Sequence, residues 1–272
     1  MTMRSTLLGS GAGWSVEDKL CSAGPHDRPF EEQRDSACIA LVTEGIFRYR
    51  CRQGEALLAP GTLLLGNARE HFECAHEHHV GDRCLSFRFT PELLETIAVS
   101  VPRVCTIDFV APRLPPLTTL AMLRAEMQMA LDMQDAPAFE ELALRLAGEV
   151  LAALAGSDAA TPSLSRRDEQ RIAAVLRQIE ARAHERLMLS GLAHAAAMSP
   201  YHFLRTFRMV VGVTPHQYIL RTRLHRAAVE LRRSQASVAT IAFAAGFDDL
   251  STFNRHFRRL MGTTPSAYRN SI

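Results

Sequence analysis

The sequence predicts a two-domain α+β protein, in which a strand-rich N-terminal domain precedes an all-α C-terminal domain. Three observations predict this fold class: short strand-like runs between residues 36 and 110, helical periodicity from residue 117 onward, and an internal repeat near the C-terminus. The chain has 272 residues, of which 47% are hydrophobic and 22% charged. This composition excludes a disordered or collagen-like chain and supplies enough apolar material for buried cores.

The N-terminal half alternates short apolar runs with turn residues. The runs carry β-branched, aromatic or leucine residues, and they cover 37–42, 46–50, 56–58, 63–65 and 83–89. Dipeptides that contain glycine, such as Gly66-Asn67 and Gly81-Asp82, separate these runs. Closely spaced turns of this kind are typical of an antiparallel sandwich or barrel, which we place at residues 17–111. The glycine-rich residues 1–16 are expected to form a flexible arm.

Helical spacing begins after the prolines near residue 115. Leu120, Leu123, Met127 and Leu131 fall on one helical face, and a second apolar stretch covers 142–154. We therefore expect two helices within 112–156, separated near residues 135–137. Residues 157–165 have the composition of a linker, and residues 166–272 are expected to form helices joined by short turns.

Charge is distributed unevenly along the chain. Residues 1–162 hold 14 Lys and Arg against 22 Asp and Glu, which gives −8. Residues 163–272 hold 17 Arg against 7 Asp and Glu, which gives +10. An acidic domain followed by a basic one predicts that only the C-terminal part binds a polyanion.

The cysteine content and the absence of long apolar runs indicate the compartment. All six cysteines lie in the N-terminal half, and we expect them to be thiols in a reducing cytosol. No run approaches the ~20 apolar residues that span a bilayer, and the first residues lack the features of a secretory signal. The expectation is a cytoplasmic protein without membrane contact.

The basic half contains a repeat at an offset of 50 residues. Nine identities occur in one register: Ala195, Phe203, Arg205, Phe207, Arg208, Gly212, Thr214, Pro215 and Tyr218 recur as Ala245, Phe253, Arg255, Phe257, Arg258, Gly262, Thr264, Pro265 and Tyr268. Such a repeat predicts that one small helical unit occurs twice.

Each unit has the signals of two short helices around a tight turn. Ser199 is an N-cap before Pro200, and Gly212 ends the helix that follows. In the second copy Asp249 takes the capping position and Gly262 the end. This arrangement predicts two helix-turn-helix units. A helix of roughly 19 residues joins them and spans ~28 Å, close to the ~34 Å between successive major grooves on one side of DNA.

The second helix of each unit is expected to turn its phenylalanines inward and its polar residues outward. Arginine binds guanine, asparagine binds adenine and apolar groups contact the thymine methyl. The candidate DNA-contacting residues are Tyr201, His202, Leu204, Arg205, Arg208, Ser251, Asn254, Arg255 and Arg258. The alternative is a helical bundle whose arginines are merely solvated, but the duplicated motif and the groove spacing favour double-stranded DNA as the partner.

Residues 165–270 resemble the DNA-binding domain of the AraC/XylS family of bacterial transcription regulators. The most specific stretch is 241–269, IAFAAGFDDLSTFNRHFRRLMGTTPSAYR, which matches the family pattern throughout. The resemblance implies that six positions contact DNA, namely Tyr201, Leu204, Arg205, Ser251, Asn254 and Arg255. Leu204 replaces a residue that is more often polar, so a thymine-methyl contact is expected there.

The resemblance also implies the organisation of the N-terminal half. It suggests a cupin-like β-barrel that senses a signal, followed by helices at 117–155 that form a homodimer. An activator with RNA polymerase as a partner is one expectation, and a repressor stays open as the alternative. Residues 58–71 resemble the second cupin motif and place His71 in an effector pocket. The paired histidines of the first cupin motif are missing from 37–50, which argues against a cupin iron site. We therefore expect a regulator and not an enzyme; a cupin enzyme with a nucleic-acid module is the weaker alternative.

The densest cluster of metal-ligating side chains lies between residues 71 and 84. On an extended strand Cys74, His76 and His78 share one face, and a turn at Gly81-Asp82 is expected to bring Cys84 alongside. Two thiols and two imidazoles suit zinc or another thiophilic metal. Three alternatives stay open: a polar hairpin with surface histidines, a sensor of thiol oxidation, and an organic effector inside the barrel.

Overall fold

The computed structural model describes residues 3–23, 27, 30–76, 81–116, 120–156 and 165–270. The chain forms two compact units. The first contains Met1–Met127 and Leu142–Ala160, and the second contains Gln128–Glu141 and Thr161–Ile272. A short part of the helical region at 112–156 therefore belongs to the C-terminal unit.

Strands dominate the first unit. Their bounds are β1 Met3–Gly11, β2 Trp14–Cys21, β3 Phe30–Gln33, β4 Ala37–Glu44, β5 Phe47–Cys51, β6 Gly54–Leu58, β7 Leu63–Gly66, β8 His71–His76, β9 Asp82–Phe89 and β10 Arg113–Leu114. They form a six-stranded sheet in the order β1-β2-β9-β4-β7-β10 and a four-stranded sheet in the order β3-β8-β5-β6. All the pairings are antiparallel. The five predicted strands are thus present as β4, β5, β6, β7 and β9.

The two sheets share one apolar core, which lies between them. It is built from buried side chains of β4, β7 and β9 on one side and of β5 and β6 on the other: Cys38, Ala40, Val42, Leu64, Cys84, Phe47, Tyr49 and Leu58. No pairing between described strands joins the two sheets, so the closed cupin-like barrel is not formed. Face-to-face packing buries the apolar faces without hydrogen-bonded closure.

The expectation of a flexible arm at residues 1–16 is wrong. Residues 3–16 belong to the β1–β2 hairpin, which turns at Gly13 with φ +82°. Trp14 and Val16 are buried, and the indole lies so close to Gly11 that a Cβ there would be 2.5 Å from its Nε1. The composition was misleading because β1 is largely exposed and β2 supplies the buried residues.

Helices account for the rest of the described chain. Their bounds are α1 Pro91–Val99, α2 Ala121–Met133, α3 Ala138–Leu154, α4 Arg166–Arg182, α5 Leu189–Ala195, α6 Pro200–Val211, α7 Pro215–Arg233, α8 Val238–Ala244, α9 Leu250–Met261 and α10 Pro265–Arg269. The predicted break near residues 135–137 separates α2 from α3. None of the described helices is long and apolar enough to cross a membrane.

The repeat of the sequence is also a repeat of packing. Phe203 and Phe207 of α6 and Phe253 and Phe257 of α9 are fully buried. Each α6 or α9 ring pair is extended by a tyrosine of the following helix. The Phe207 and Tyr218 rings are 6.0 Å apart, and the Phe257 and Tyr268 rings are 5.5 Å apart.

The two copies differ by one residue in their turns. Helices α6 and α9 correspond at an offset of 50, but α5 and α8 end at Ala195 and Ala244, an offset of 49. Ala196 is therefore the structural equivalent of Ala245, and the identity between Ala195 and Ala245 is not a structural one. The longer second turn starts at Gly246 with φ +95°, where the first has Ala197 with φ +51°.

Candidate DNA interface

Helices α6 and α9 begin and end in the same way. The Ser199 hydroxyl accepts a hydrogen bond from the backbone N–H of His202, and the Asp249 carboxylate accepts one from that of Thr252. Both helices end at a left-handed glycine, Gly212 with φ +81° and Gly262 with φ +74°. The caps predicted from the sequence are confirmed at all four ends, and they fix where each helix starts and which face it buries.

The polar side of α9 carries the four candidate contacts of the second copy. Ser251 and Arg258 are exposed, whereas Asn254 and Arg255 are half-buried. The Arg255 guanidinium donates to the Thr252 hydroxyl at 3.2 Å and to the Gln134 side-chain oxygen at 3.4 Å. In this conformation Arg255 is held by the turn between α2 and α3.

Tyr201, which is expected on the outward face of α6, is 9% exposed, and Leu204 is 1% exposed. Contact of these two side chains with a base stays a prediction. The remaining candidates of α6 are half-buried: His202, Arg205 and Arg208. Because Leu204 is apolar, the buried side of α6 is wider than the side that bears the phenylalanines alone. Tyr201 lies one helical turn before Arg205, at the edge of this buried side.

The segment 128–141 contacts α7 and α9 within the C-terminal unit. Asp135 Oδ2 lies 3.0 Å from His216 Nε2 and 3.8 Å from His256 Nε2. The Glu141 carboxylate accepts a hydrogen bond of 2.6 Å from the backbone N–H of His216. The Arg259 guanidinium contacts the sulfur of Met129. These contacts attach the turn between α2 and α3 to the helix that carries Arg255.

The pKa values of Asp135, His216 and His256 differ from the usual values of these side chains. Burial favours the uncharged forms, but the hydrogen bond and the opposite charges of the pair outweigh it, so the pKa of Asp135 is lowered and the pKa of His216 is raised. Burial, together with the charges of His216 and the neighbouring arginines, lowers the pKa of His256 despite Asp135. Sequence reasoning missed this cluster because its members come from three separate segments.

Several arginines of the basic half have structural partners. Arg223 donates to the carbonyl oxygens of Ala183 and Glu185 at 2.6 and 2.8 Å. Arg269 donates to those of Leu231 and Ala236 at 3.3 and 2.6 Å. These two guanidinium groups keep their charge and also hold neighbouring helices and turns together.

A cavity of about 120 Å³ lies in the first unit, between the two sheets. Four cysteines from four strands line it: Cys21, Cys38, Cys74 and Cys84. Burial raises the pKa of Cys74 to about 12 and raises that of Cys84 well above its usual value. The thiols of Cys74 and Cys84 are therefore protonated at neutral pH and are poor nucleophiles.

A family model described as a helix-turn-helix domain matches residues 192–271. Regulatory protein SoxS of Salmonella typhimurium is 34% identical over 104 residues, which cover 38% of this chain and 97% of that protein. The Tn10 TetD protein of Escherichia coli is 38% identical over 97 residues, 36% of this chain and 70% of that protein. The chain belongs to the AraC/XylS family of transcription regulators.

The curated relatives of this AraC/XylS-family protein match about a third of the chain. The MmsAB operon regulatory protein of Pseudomonas aeruginosa is 38% identical over 89 residues, which cover 33% of this chain but 29% of that relative. The chain thus spans less than a third of the length of this relative. Family membership agrees with the expectation of a transcription regulator.

The structure locates two of the predicted sensor features of this AraC/XylS-family protein. His71 is exposed at the start of β8 and does not line this cavity, so its place in an effector pocket stays a prediction. Strands β8 and β9 do not form a hairpin; they lie in different sheets, and Cys74 and Cys84 approach the same cavity from opposite sides. The two strands are separated because β8 pairs with β3 and β5, whereas β9 pairs with β2 and β4.

The proposed metal ligands are only partly described. His78 lies outside the described residues, and the side chain of His76 is likewise outside them. Within the part of the chain that the structure describes, no group of three or more His, Cys, Asp or Glu side chains is arranged to hold a metal ion. Sequence reasoning also missed Arg34, which lines the cavity, because no motif surrounds it.

Proposed function

We propose that this protein is a one-component transcription regulator that binds double-stranded DNA through two helix-turn-helix units. The units are α5–α6 and α8–α9, and the stiff helix α7 joins them. The observation that carries the proposal is the duplicated helix pair with the same caps, the same buried phenylalanines and a polar side on α9 that bears Ser251, Asn254, Arg255 and Arg258.

The proposal assigns different weights to the two units. Because Ser251 and Arg258 are exposed whereas Tyr201 and Leu204 are buried, α9 is the better-prepared reading helix in this conformation. Full contact by α6 requires Leu204 to become accessible. We therefore propose that DNA binding begins at the second unit.

Sequence-specific DNA binding is tested with the full chain, which is used to select its binding sites from random DNA fragments. Mobility shifts with the selected site should show tight binding that weakens steeply with salt, because neutralised phosphates release counterions. Two results together would show that DNA binding begins at the first unit instead. Specific binding would be unchanged in Arg255→Ala, and it would be lost in Leu204→Asn. No specific binding at all would overturn the function.

We propose that the N-terminal domain senses a small organic effector in the cavity between the sheets. The raised thiol pKa values of Cys74 and Cys84 favour this role over thiol oxidation. Zinc or another thiophilic metal on Cys74, His76, His78 and Cys84 is the competing proposal. Elemental analysis of protein purified without added metal separates the two, since a stoichiometry near one would favour the metal.

Pairing of two chains through helices α2 and α3 belongs to the same proposal. Met122 is 67% exposed on α2, and an exposed methionine suits an adaptable helical seam. Sedimentation of the wild type and of Met122→Lys would detect the pairing as a loss of dimer. Activation through RNA polymerase is checked by transcription in vitro from the selected site.

A further inference from the structure

Arg34 is held in place by four separate contacts. Its guanidinium lies 3.7 Å from the centroid of the Phe72 ring and 5.2 Å from that of Tyr49. It donates a 2.8 Å hydrogen bond to the Tyr49 hydroxyl, which itself donates to the carbonyl of Leu65 at 3.2 Å. On Gly66 a Cβ would lie 2.5 Å from Arg34 Cζ, so only glycine leaves room for the guanidinium there.

The backbone of Arg34 is fixed as well. Its N–H donates to the carbonyl of Glu70 at 3.1 Å, and its carbonyl accepts from the N–H of Arg69 at 2.7 Å. These bonds place a rigid cation at the wall of the cavity, although Arg34 belongs to the connection between β3 and β4. A long flexible side chain that is held in this way has already lost the conformational entropy that binding would otherwise cost.

Three cations line the cavity, and only two of them have carboxylate partners in the described part of the chain. Lys19 lies 3.4 Å and Arg88 3.8 Å from the Glu17 carboxylate. Arg34 has no carboxylate within salt-bridge distance among the described residues, and its one side-chain hydrogen bond is to Tyr49. Aromatic faces stabilise a guanidinium, but a carboxylate can bind two of its donors at once.

The rest of the wall is mostly apolar or uncharged. Ala40, Phe47 and Leu64 line it together with four cysteine side chains. Of the acidic lining residues, Glu32 and Asp35 are exposed to solvent and Asp82 is buried. An apolar cavity of about 150 Å³ accommodates benzene, so a cavity of about 120 Å³ limits the ligand to a body of roughly one small ring or branched chain.

We propose that the effector is a small organic acid, whose carboxylate pairs with Arg34 and whose apolar body lies against Ala40, Phe47 and Leu64. This inference rests on the proposed function, because it names the chemical class that the sensor domain takes. Arg34 is the specificity-determining residue, while Phe72, Tyr49 and Gly66 position it.

Matched ligand triplets on the full chain test the class. Each triplet is a carboxylate, its primary amide and the corresponding amine on one scaffold, with linear, branched, cyclohexyl and phenyl scaffolds. We expect calorimetry and thermal shift to show binding of at least one carboxylate, with its amide weaker by about 10- to 100-fold. Equal binding of amide or amine, or binding of no carboxylate in the panel, overturns the proposal.

Variants assign the effect to Arg34. Arg34→Gln should abolish the preference for the carboxylate, and Gly66→Ala should weaken it by displacing the guanidinium. Arg50→Gln is the matched control, because Arg50 is exposed and pairs with Glu55 and Glu73 away from the cavity. Should Arg34→Gln fail to fold, the wild-type comparison of carboxylate and amide together with Gly66→Ala still decides.

DNA binding without any effector is measured in parallel by mobility shift. If specific DNA binding is present and the carboxylate preference is absent, this inference fails while the proposed regulator stands. If specific DNA binding is absent, the proposed function fails whatever the cavity binds.

Discussion

His216 Nε2 lies 3.0 Å from the Asp135 carboxylate, which joins the start of α7 to the turn between α2 and α3. Asp135 also faces His256 of α9 at 3.8 Å. One carboxylate thus connects the helix that links the two units to the second reading helix. The pair of Asp135 and His216 matters for DNA binding because the residue before Asp135, Gln134, accepts a hydrogen bond from Arg255.

The histidines predict a stability maximum near pH 6.5. The folded pKa of His216 is raised, so its contribution is complete below the unfolded value of about 6.5 and is lost as pH rises through the folded value. The folded pKa of His256 is lowered, so stability is lost as pH falls below about 6.5. Thermal unfolding of the full chain from pH 5 to 9 measures both limbs.

Variants separate the two limbs. His216→Gln should reduce the loss of stability above pH 6.5. His256→Gln should reduce the loss of stability below pH 6.5. Asp135→Asn should lower the free energy of unfolding by about 2 kcal/mol near pH 6.5, since it removes a charge-assisted hydrogen bond. An alkaline limb that persists in His216→Gln would contradict the assignment.

Arg255 is expected to read a base. Arg255→Ala should lose about 1–3 kcal/mol of discrimination at one operator position. Mobility shifts with operators altered at single positions measure this. Arg171→Ala is the control, because Arg171 pairs with Asp168 on α4. Equal loss on every operator would instead show that Arg255 anchors a phosphate.

Release of Arg255 should strengthen DNA binding. Its hydrogen bond to Gln134 must break before it reaches a base, and such a bond is worth about 1 kcal/mol. Gln134→Ala should therefore tighten the Kd by about fivefold. Gln128→Ala is the matched control, because this side chain donates to Asp132 on the same helix and does not contact Arg255. A gain that persists when Arg255 is also alanine would show another cause.

Ala197 and Gly246 occupy equivalent positions in the turns of the two helix-turn-helix units, and opposite substitutions at these positions should change the free energy of unfolding in opposite directions. Ala197 has φ +51°, so Ala197→Gly should stabilise the chain by about 1 kcal/mol. Gly246→Ala should cost about 2 kcal/mol, because φ is +95° and the new Cβ would lie 2.6 Å from the carbonyl oxygen of His184. Chemical denaturation compares them. Gly191→Ala, within α5 and in open space, should be stabilising and serves as the control.

The cavity thiols should react slowly. With its pKa near 12, Cys74 holds little thiolate at pH 7.5, and it is partly buried against the sandwich core. Exposed Cys105 should be labelled first by iodoacetamide, and Cys74 and Cys84 only after unfolding. Peptide mapping by mass spectrometry checks the order. Rapid native labelling of Cys74 would restore thiol oxidation as the sensing chemistry.

Local signals predicted the C-terminal unit well. Ser199, Asp249, Gly212 and Gly262 mark helix ends through contacts within one turn, so neighbouring residues suffice to place them. The strands β4 to β7 and β9 were also predictable, because their short runs carry β-branched, aromatic or leucine residues and turn residues separate them. By contrast, β1 is mostly exposed and pairs through its backbone, which composition does not report.

Contacts between distant segments escaped prediction for a physical reason. The sequence by itself determined the repeat, its caps, the buried phenylalanines and the family. Only the tertiary structure decided that Leu204 is buried, that Cys74 and Cys84 come from opposite sheets, and that Gln134 holds Arg255. Sheet order and the docking of one segment on another depend on the packing of the whole unit, and no local pattern encodes them.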